Sequence, residues 1–182
     1  MTTLRWIPAA AQLSVFLAAA AAADVPRQPA DFTINLVGGK TVSLNQYRGH
    51  PIVLLFILTH CAHCQETVGV LTRLQNEYGP RGLQVLASAI DADARETVPN
   101  FIRNFSPSFP VGYNSPVASA ALIQPTGKSP MMPLIAFIDK QGIIRNQHEG
   151  EEPFFNDLEQ NLRKEIDTLL RSGTPAKKSP PK

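Results

Sequence analysis

Cysteine is nearly absent from this chain: the 182 residues contain only Cys61 and Cys64. A disulfide across so short a loop gives little loop-entropy stabilisation, because that term grows with loop length. Stapling the fold is therefore a poor reason for the pair, and chemistry is a better one. Net charge is also small, +2 in total. Lys and Arg are scattered apart from a short basic tail, so the electrostatic footprint of a nucleic-acid binder is missing. Long apolar runs are missing too. The stretch 7–23 is interrupted by Pro8, Gln12 and Ser14, and it falls short of the roughly 20 residues a membrane span needs. No internal repeat is present.

What remains is a globular composition with 43% hydrophobic residues, ample for one domain with its own core. The amino terminus does not belong to that domain. Arg5 precedes the small, apolar run, which ends in Ala-Ala-Ala before Asp24. That is the pattern of a secretory signal peptide over 1–23, with an uncleaved membrane anchor as the alternative. The expected folded domain covers 24–171. The Pro- and Lys-rich stretch 172–182 reads as a disordered tail. An exported chain meets an oxidising, secreted or periplasmic compartment.

Within the domain, Phe32–Val37 and Lys40–Leu44 flank Gly38-Gly39 and predict a β-hairpin. Ile52–Leu58 is a continuous apolar run, the mark of a strand buried on both faces. The period then turns helical over Ala62–Tyr78 and is stopped by Gly79-Pro80. Leu83–Ile90 predicts a second interior strand. A helix over Ala94–Asn104 follows, with Asp93 as its N-cap. Phe109–Tyr113 is extended, Pro116–Ile123 is a short helix, and Leu134–Ile138 is a third buried strand. Asp139–Gly142 is a hairpin turn leading to an edge strand over Ile143–His148. An amphipathic helix over Phe154–Leu170 closes the domain. Strands alternating with helices predict an α/β protein, a sheet covered on both faces.

The cysteines fall where the first buried strand feeds a helix. Unpaired N–H groups and the macrodipole at a helix N-terminus favour negative charge and so stabilise a thiolate on Cys61. A thiolate attacks disulfides. Cys64, one turn on, is placed to resolve the mixed disulfide. His63 lies between them and His60 just before, two imidazoles able to tune the couple. Stabilising the reduced form makes such a couple more oxidising, so a potential above the thioredoxin end of the range is expected. No cofactor is needed. Other Cys-x-x-Cys chemistries fit less well. Gln65 stands where c-type haem attachment needs His. A zinc site wants a second ligand pair, and His50 and His148 are isolated. Copper(I) held by Cys61, Cys64, His60 and His63 is the main alternative, a binding rather than a catalytic role.

The order strand, Cys61-Ala-His-Cys64, helix, strand, helix, Pro133, strand resembles a thioredoxin fold. The leading hairpin, Gly49-His-Pro-Ile-Val-Leu-Leu-Phe, Phe109-Pro-Val and Ala136-Phe-Ile-Asp-Lys-Gln-Gly142 are similar to the exported TlpA/ResA-like thioredoxins and the related AhpC/TSA group. The resemblance covers about Pro29 to Leu170. It implies a central mixed β-sheet flanked by helices, with the hairpin as an N-terminal extension. It also implies a cis-proline at Pro133, with Met132 facing Cys61 and pairing with substrate. By the same resemblance the chain is a thiol–disulfide oxidoreductase. Its substrates are cysteine-containing exported proteins, and a separate redox partner resets it. The departures are specific. Thr59-His60 replaces the usual Trp and its neighbour, Leu55 replaces the buried acid of thioredoxins, and Thr67 stands where ResA-like members often carry Glu. Glu66 and Asp91 are then the candidate proton acceptors. The peroxidase motif Pro-x-x-x-Thr-x-x-Cys is absent, because Thr59 is two, not three, before Cys61 and the position four before Thr59 is Leu55, not Pro, which leaves thiol peroxidase as the least favoured activity.

Overall fold

A computed structural model describes residues 24–125 and 130–172. The expected signal segment 1–23 and all but the first residue of the expected tail lie outside the described residues. Eleven strands and helices follow one another along the chain. They are β1 (Thr33–Leu36), β2 (Thr41–Ser43), β3 (Ile52–Ile57), α1 (Ala62–Tyr78), β4 (Gln84–Ala89), α2 (Ala94–Phe105), β5 (Val111–Tyr113), α3 (Pro116–Ile123), β6 (Leu134–Ile138), β7 (Ile144–Glu149) and α4 (Leu158–Arg171). The seven strands form a single mixed sheet in the order β2-β1-β5-β4-β3-β6-β7. This is the expected thioredoxin-type sheet.

Strand β3 lies at the centre of the domain because its side chains have no polar face to offer water. All six are buried. It pairs in parallel with β4 and antiparallel with β6. The alternation of side chains across a strand splits the core in two. Val53, Leu55 and Ile57 meet α1, α2 and α4 through Val68, Leu71, Val98, Phe101, Leu162 and Ile166. Ile52, Leu54 and Phe56 point the other way, towards Phe32, Leu44 and the α3 residues Leu122 and Ile123. Each such side chain contributes about 1.5–3 kcal/mol on burial. Ion pairs from Arg73, Arg81 and Arg163 to Glu159, Asp167 and Glu77 run between α1 or its end and α4. They are exposed and add little.

The hairpin forms as its sequence predicts. Leu36 donates its N–H to the Lys40 carbonyl at 2.8 Å, so the connection is the three residues Val37-Gly38-Gly39 and not Gly38-Gly39 alone. Both glycines have positive φ, 84° and 80°, which only glycine adopts freely. The β6–β7 turn is closed from within by Asp139. Its buried carboxylate accepts the N–H groups of Gln141 and Ile143, each at 2.9 Å, and pairs with Arg145. Strand β7 is the sheet edge, as expected, and ends one residue later, at Glu149.

Two expectations need correction. The last helix starts at Leu158, not Phe154. Pro153–Phe155 forms a separate 3-10 turn that points the Phe154 ring at His148 and Phe137. Asp93 occupies the N-cap position of α2, but its side chain makes no capping hydrogen bond. Asp91, two residues earlier, is the acid that accepts backbone hydrogen bonds here, from the Thr59 N–H.

Candidate active site

The site lies at the carboxyl end of β3, where three chain segments converge. The first is Leu58–Cys61, carrying the chain from β3 into α1. The second is the end of β4 with Asp91. The third is Met131–Pro133, leading into β6. Convergence follows from register. Ile57 pairs with Ala89, which brings Asp91 beside Thr59, and Phe56 pairs with Leu134, which brings Pro133 beside the start of α1.

Cys61 is the N-cap residue of α1, and its sulfur accepts the Cys64 N–H at 3.3 Å. An N–H donor aimed at the sulfur from the first turn stabilises negative charge there. Cys61 is partly exposed, whereas Cys64 is completely buried; both are free thiols. The Cys61 Sγ lies 4.0 Å from the carbonyl oxygen of Met132. The Met132–Pro133 bond is cis, as the resemblance implies. The attacking and resolving roles expected for the pair thus coincide with a difference in access.

Cys64 has its thiol pKa pushed well above the ordinary value. Burial is the largest cause; the Cys61 side chain and, at longer range, the Asp91 charge add to it, and the backbone of Leu58 opposes it. The folded reduced protein therefore keeps a proton that the unfolded chain releases above about pH 8.5. Its stability is full below that pH and falls as pH rises further, by up to about 1.4 kcal/mol per pH unit. Urea unfolding of the reduced protein from about pH 7 to 10 measures this loss. The Cys64→Ala variant is expected to show a shallower decline; equal slopes would remove Cys64 as the cause.

The residue two before Cys61 is held from three sides. The Thr59 N–H donates to both carboxylate oxygens of Asp91, at 3.0 and 2.9 Å. Its carbonyl accepts from the Gln65 side chain at 3.0 Å, and its hydroxyl meets that of Thr97 at 3.1 Å. The sequence marks Asp91 only as a candidate proton acceptor for Cys64. The one available signal was an acid directly after a buried strand. Leu55 is fully buried among apolar neighbours, so no carboxylate replaces the missing acid at that point. Thr67 is buried and donates its hydroxyl to the His63 carbonyl at 2.7 Å. Glu66 is exposed.

The two imidazoles part company. His63 is exposed and lines a small recess with Glu66, Thr67, Phe155 and Leu158. His60 is exposed as well, and its ring nitrogen, Asp91 and Asp93 place one potential ligand atom each within 4.8 Å of one another. Among the described residues that is the only such gathering; the set Cys61, Cys64, His60 and His63 does not form one. The remaining histidines have local partners, His50 at the Gly82 carbonyl and His148 at Glu152.

A strand-to-helix dithiol with one accessible and one buried sulfur, facing a cis-proline loop on a mixed sheet, defines the class. This is a thioredoxin-fold thiol–disulfide oxidoreductase. The chain belongs to the AhpC/TSA family, whose model matches residues 25–147. It is similar to the thiol-disulfide oxidoreductase ResA of Bacillus thuringiensis, 26% identical over 142 residues and 78% of each chain. It is also similar to glutathione peroxidase 7 of Bos taurus, 30% identical over 137 residues, 66% of this chain and 74% of that one. Among solved structures, a DsbF homologue from Corynebacterium diphtheriae superposes with a TM-score of 0.67 at 21% identity, covering 80% of this chain and 88% of its own.

Proposed function

We propose that this protein is exported and exchanges disulfides with cysteines of other exported proteins, with Cys61 attacking and Cys64 resolving. The observation that carries the reading is the asymmetry of the pair. Cys61 is accessible, receives an N–H from the first turn of α1 and faces the Met132 carbonyl; Cys64 is buried behind it. The Cys61 thiolate attacks one sulfur of a substrate disulfide. The substrate S–S bond breaks, a mixed disulfide forms, and the departing sulfur takes up a proton. Cys64 then loses its proton and attacks the Cys61 sulfur, freeing the second substrate thiol. The substrate gains two electrons and two protons, and the pair becomes a disulfide. Reversed, the same steps oxidise a dithiol. A separate redox partner returns the pair to its starting state.

Export rests on the 1–23 pattern. Among the described residues no helix is long and apolar enough to cross a membrane. His63 and His60 act on the couple as nearby imidazoles, which when protonated favour the thiolate. Copper(I) binding by the thiols and both imidazoles is the weaker reading, since His60 gathers with Asp91 and Asp93 instead. A peroxidase reading is weaker too. Glutathione peroxidase 7 is a relative, but Thr59 and Leu55 do not supply the peroxidase motif.

The test uses two assays in parallel, reduction of insulin by dithiothreitol and oxidation of a reduced test polypeptide. The wild type is expected to accelerate at least one of them. Cys61→Ser should lower that rate by about a hundredfold or more, the scale of removing a nucleophile. A wild type no faster than the variant in both assays defeats the reading.

A further inference from the structure

Strand β7 ends at Glu149, directly beside the loop that faces Cys61. Register places His148 opposite Ile135 and Glu149 opposite Leu134, so the residue after β7 meets the residues before Pro133. That residue is Gly150, which is buried. Its N–H donates to the Met131 carbonyl at 2.8 Å. A Cβ there would stand 2.4 Å from the Met132 oxygen, 2.6 Å from the Met132 carbonyl carbon and 3.0 Å from the Met131 oxygen. All three are backbone atoms. The glycine is needed for close approach to the Met132 carbonyl, the group 4.0 Å from the Cys61 sulfur.

One side chain holds the Gly150 turn in shape. Glu152 accepts the Glu149 N–H on Oε1 at 3.0 Å, and its Oε2 meets His148 Nδ1 at 2.7 Å. The Glu152 N–H returns to the Glu149 carbonyl at 2.9 Å. The His148 ring is in turn fixed by stacking on Phe154, 3.9 Å between centroids with planes 10° apart, and both rings meet the buried Phe137 edge-on. A carboxylate that ties a side chain and a backbone donor together leaves the intervening turn little freedom. The turn it closes is the one pressed against Met131 and Met132.

We propose that Glu152 is a positioning residue for disulfide exchange, closing with Gly150 a latch that sets the Met132 carbonyl in place for a polypeptide substrate. The inference rests on the thiol–disulfide reading of Cys61. By the family resemblance the substrate main chain pairs with the Met131–Pro133 loop; what is added is that Glu152 and Gly150 hold that loop in position for it. A small disulfide has no peptide backbone to pair there. Latch and chemistry are therefore separable: disturbing the latch weakens polypeptide binding and leaves the Cys61 sulfur itself unchanged.

The experiment compares the full-length wild type with Glu152→Ala, Glu152→Gln and Gly150→Ala. For each, KM and kcat are measured with a disulfide-bonded polypeptide, insulin. The rate of reaction of the reduced protein with 5,5′-dithiobis(2-nitrobenzoate), the potential of the pair against glutathione and the thermal midpoint are measured alongside. Glu152→Ala is expected to raise KM for insulin roughly two- to tenfold, the fold-change of one lost hydrogen bond, with kcat, potential and small-disulfide rate held. Gly150→Ala should do the same more strongly. Glu152→Gln keeps an oxygen for the Glu149 N–H and should restore most of the KM. If Gly150→Ala fails to fold, the two Glu152 variants still decide. An unchanged insulin KM in Glu152→Ala overturns the proposal. So does an equal loss with insulin and the small disulfide, since that marks general distortion of the dithiol. Failure of the underlying reading shows separately, as no Cys61-dependent insulin turnover in the wild type, and the latch proposal then falls with it.

Discussion

Cys64→Ser is expected to arrest exchange as a stable covalent adduct between Cys61 and the substrate. The reason is geometric. Cys61 keeps its place at the N-terminus of α1 and its N–H donor from residue 64, which is a backbone group and survives the substitution. The attacking step therefore goes forward. The resolving step has no sulfur to make it, because these are the only cysteines in the chain. A serine hydroxyl does not displace a thiolate from a disulfide. Incubated with a disulfide-bonded polypeptide, the variant should accumulate a mixed disulfide visible as a mass shift on a non-reducing gel and by mass spectrometry, and dithiothreitol should release it. Turnover should fall by about a hundredfold or more. Cys61→Ser should lose turnover as heavily and trap nothing, because the thiol it leaves is fully buried. If the adduct forms with Cys61→Ser and not with Cys64→Ser, the roles are the reverse of those assigned.

Phe56→Ala is the stability counterpart. Phe56 is the penultimate residue of β3, fully buried, and its ring packs edge-on against Phe32 at 5.4 Å. Phe32 leads into β1, so this contact joins the amino-terminal hairpin to the centre of the sheet. Truncation removes the transfer energy of the ring and leaves a cavity that the paired strands on either side cannot collapse to fill. The expected loss is about 3–5 kcal/mol, read from the shift of the urea midpoint at constant m. That is a large share of the 5–15 kcal/mol of an ordinary domain. A loss below about 1 kcal/mol would mean that the core around Phe32 repacks freely, contrary to the close packing expected of such interiors. The effect should fall on stability and not on the chemistry of the folded fraction, because Phe56 lies on the sheet face opposite the Cys64 cluster.

These two predictions draw on different levels of information. The pair proposed to react, Cys61 and Cys64, was legible in the linear chain. Two cysteines three apart, between a wholly apolar run and a helical period, favour disulfide exchange over copper(I) binding, and local backbone preferences place them at a helix N-terminus. The hairpin over Gly38-Gly39, the buried strands and the four helices were legible for the same reason, since periodicity and turn chemistry are local properties. Pro133 was legible by resemblance, and the structure bears it out as the cis residue before β6.

What the sequence did not disclose depends on register between distant segments. Asp91 stood out only as an acid after a strand; that its carboxylate holds the Thr59 N–H follows from the pairing of Ile57 with Ala89. His148 looked isolated because Glu152 approaches it only once the chain turns after β7. The Phe154–Leu170 apolar pattern suited a helix. The observed start at Leu158 came from tertiary packing of Phe154 on His148 and Phe137, a contact between segments that no local period records. His60 and His63 stand three apart in sequence and face different neighbours, because one precedes the helix and the other is in its first turn. By itself, then, the sequence determined the elements and the two sulfurs, since hydrophobic period, turn residues and helix-end electrostatics act over a few residues. Only the tertiary structure decided which sulfur is reachable, what holds Thr59, and that Gly150 and Glu152 stand behind the Met132 carbonyl. Burial and strand register arise from the whole sheet.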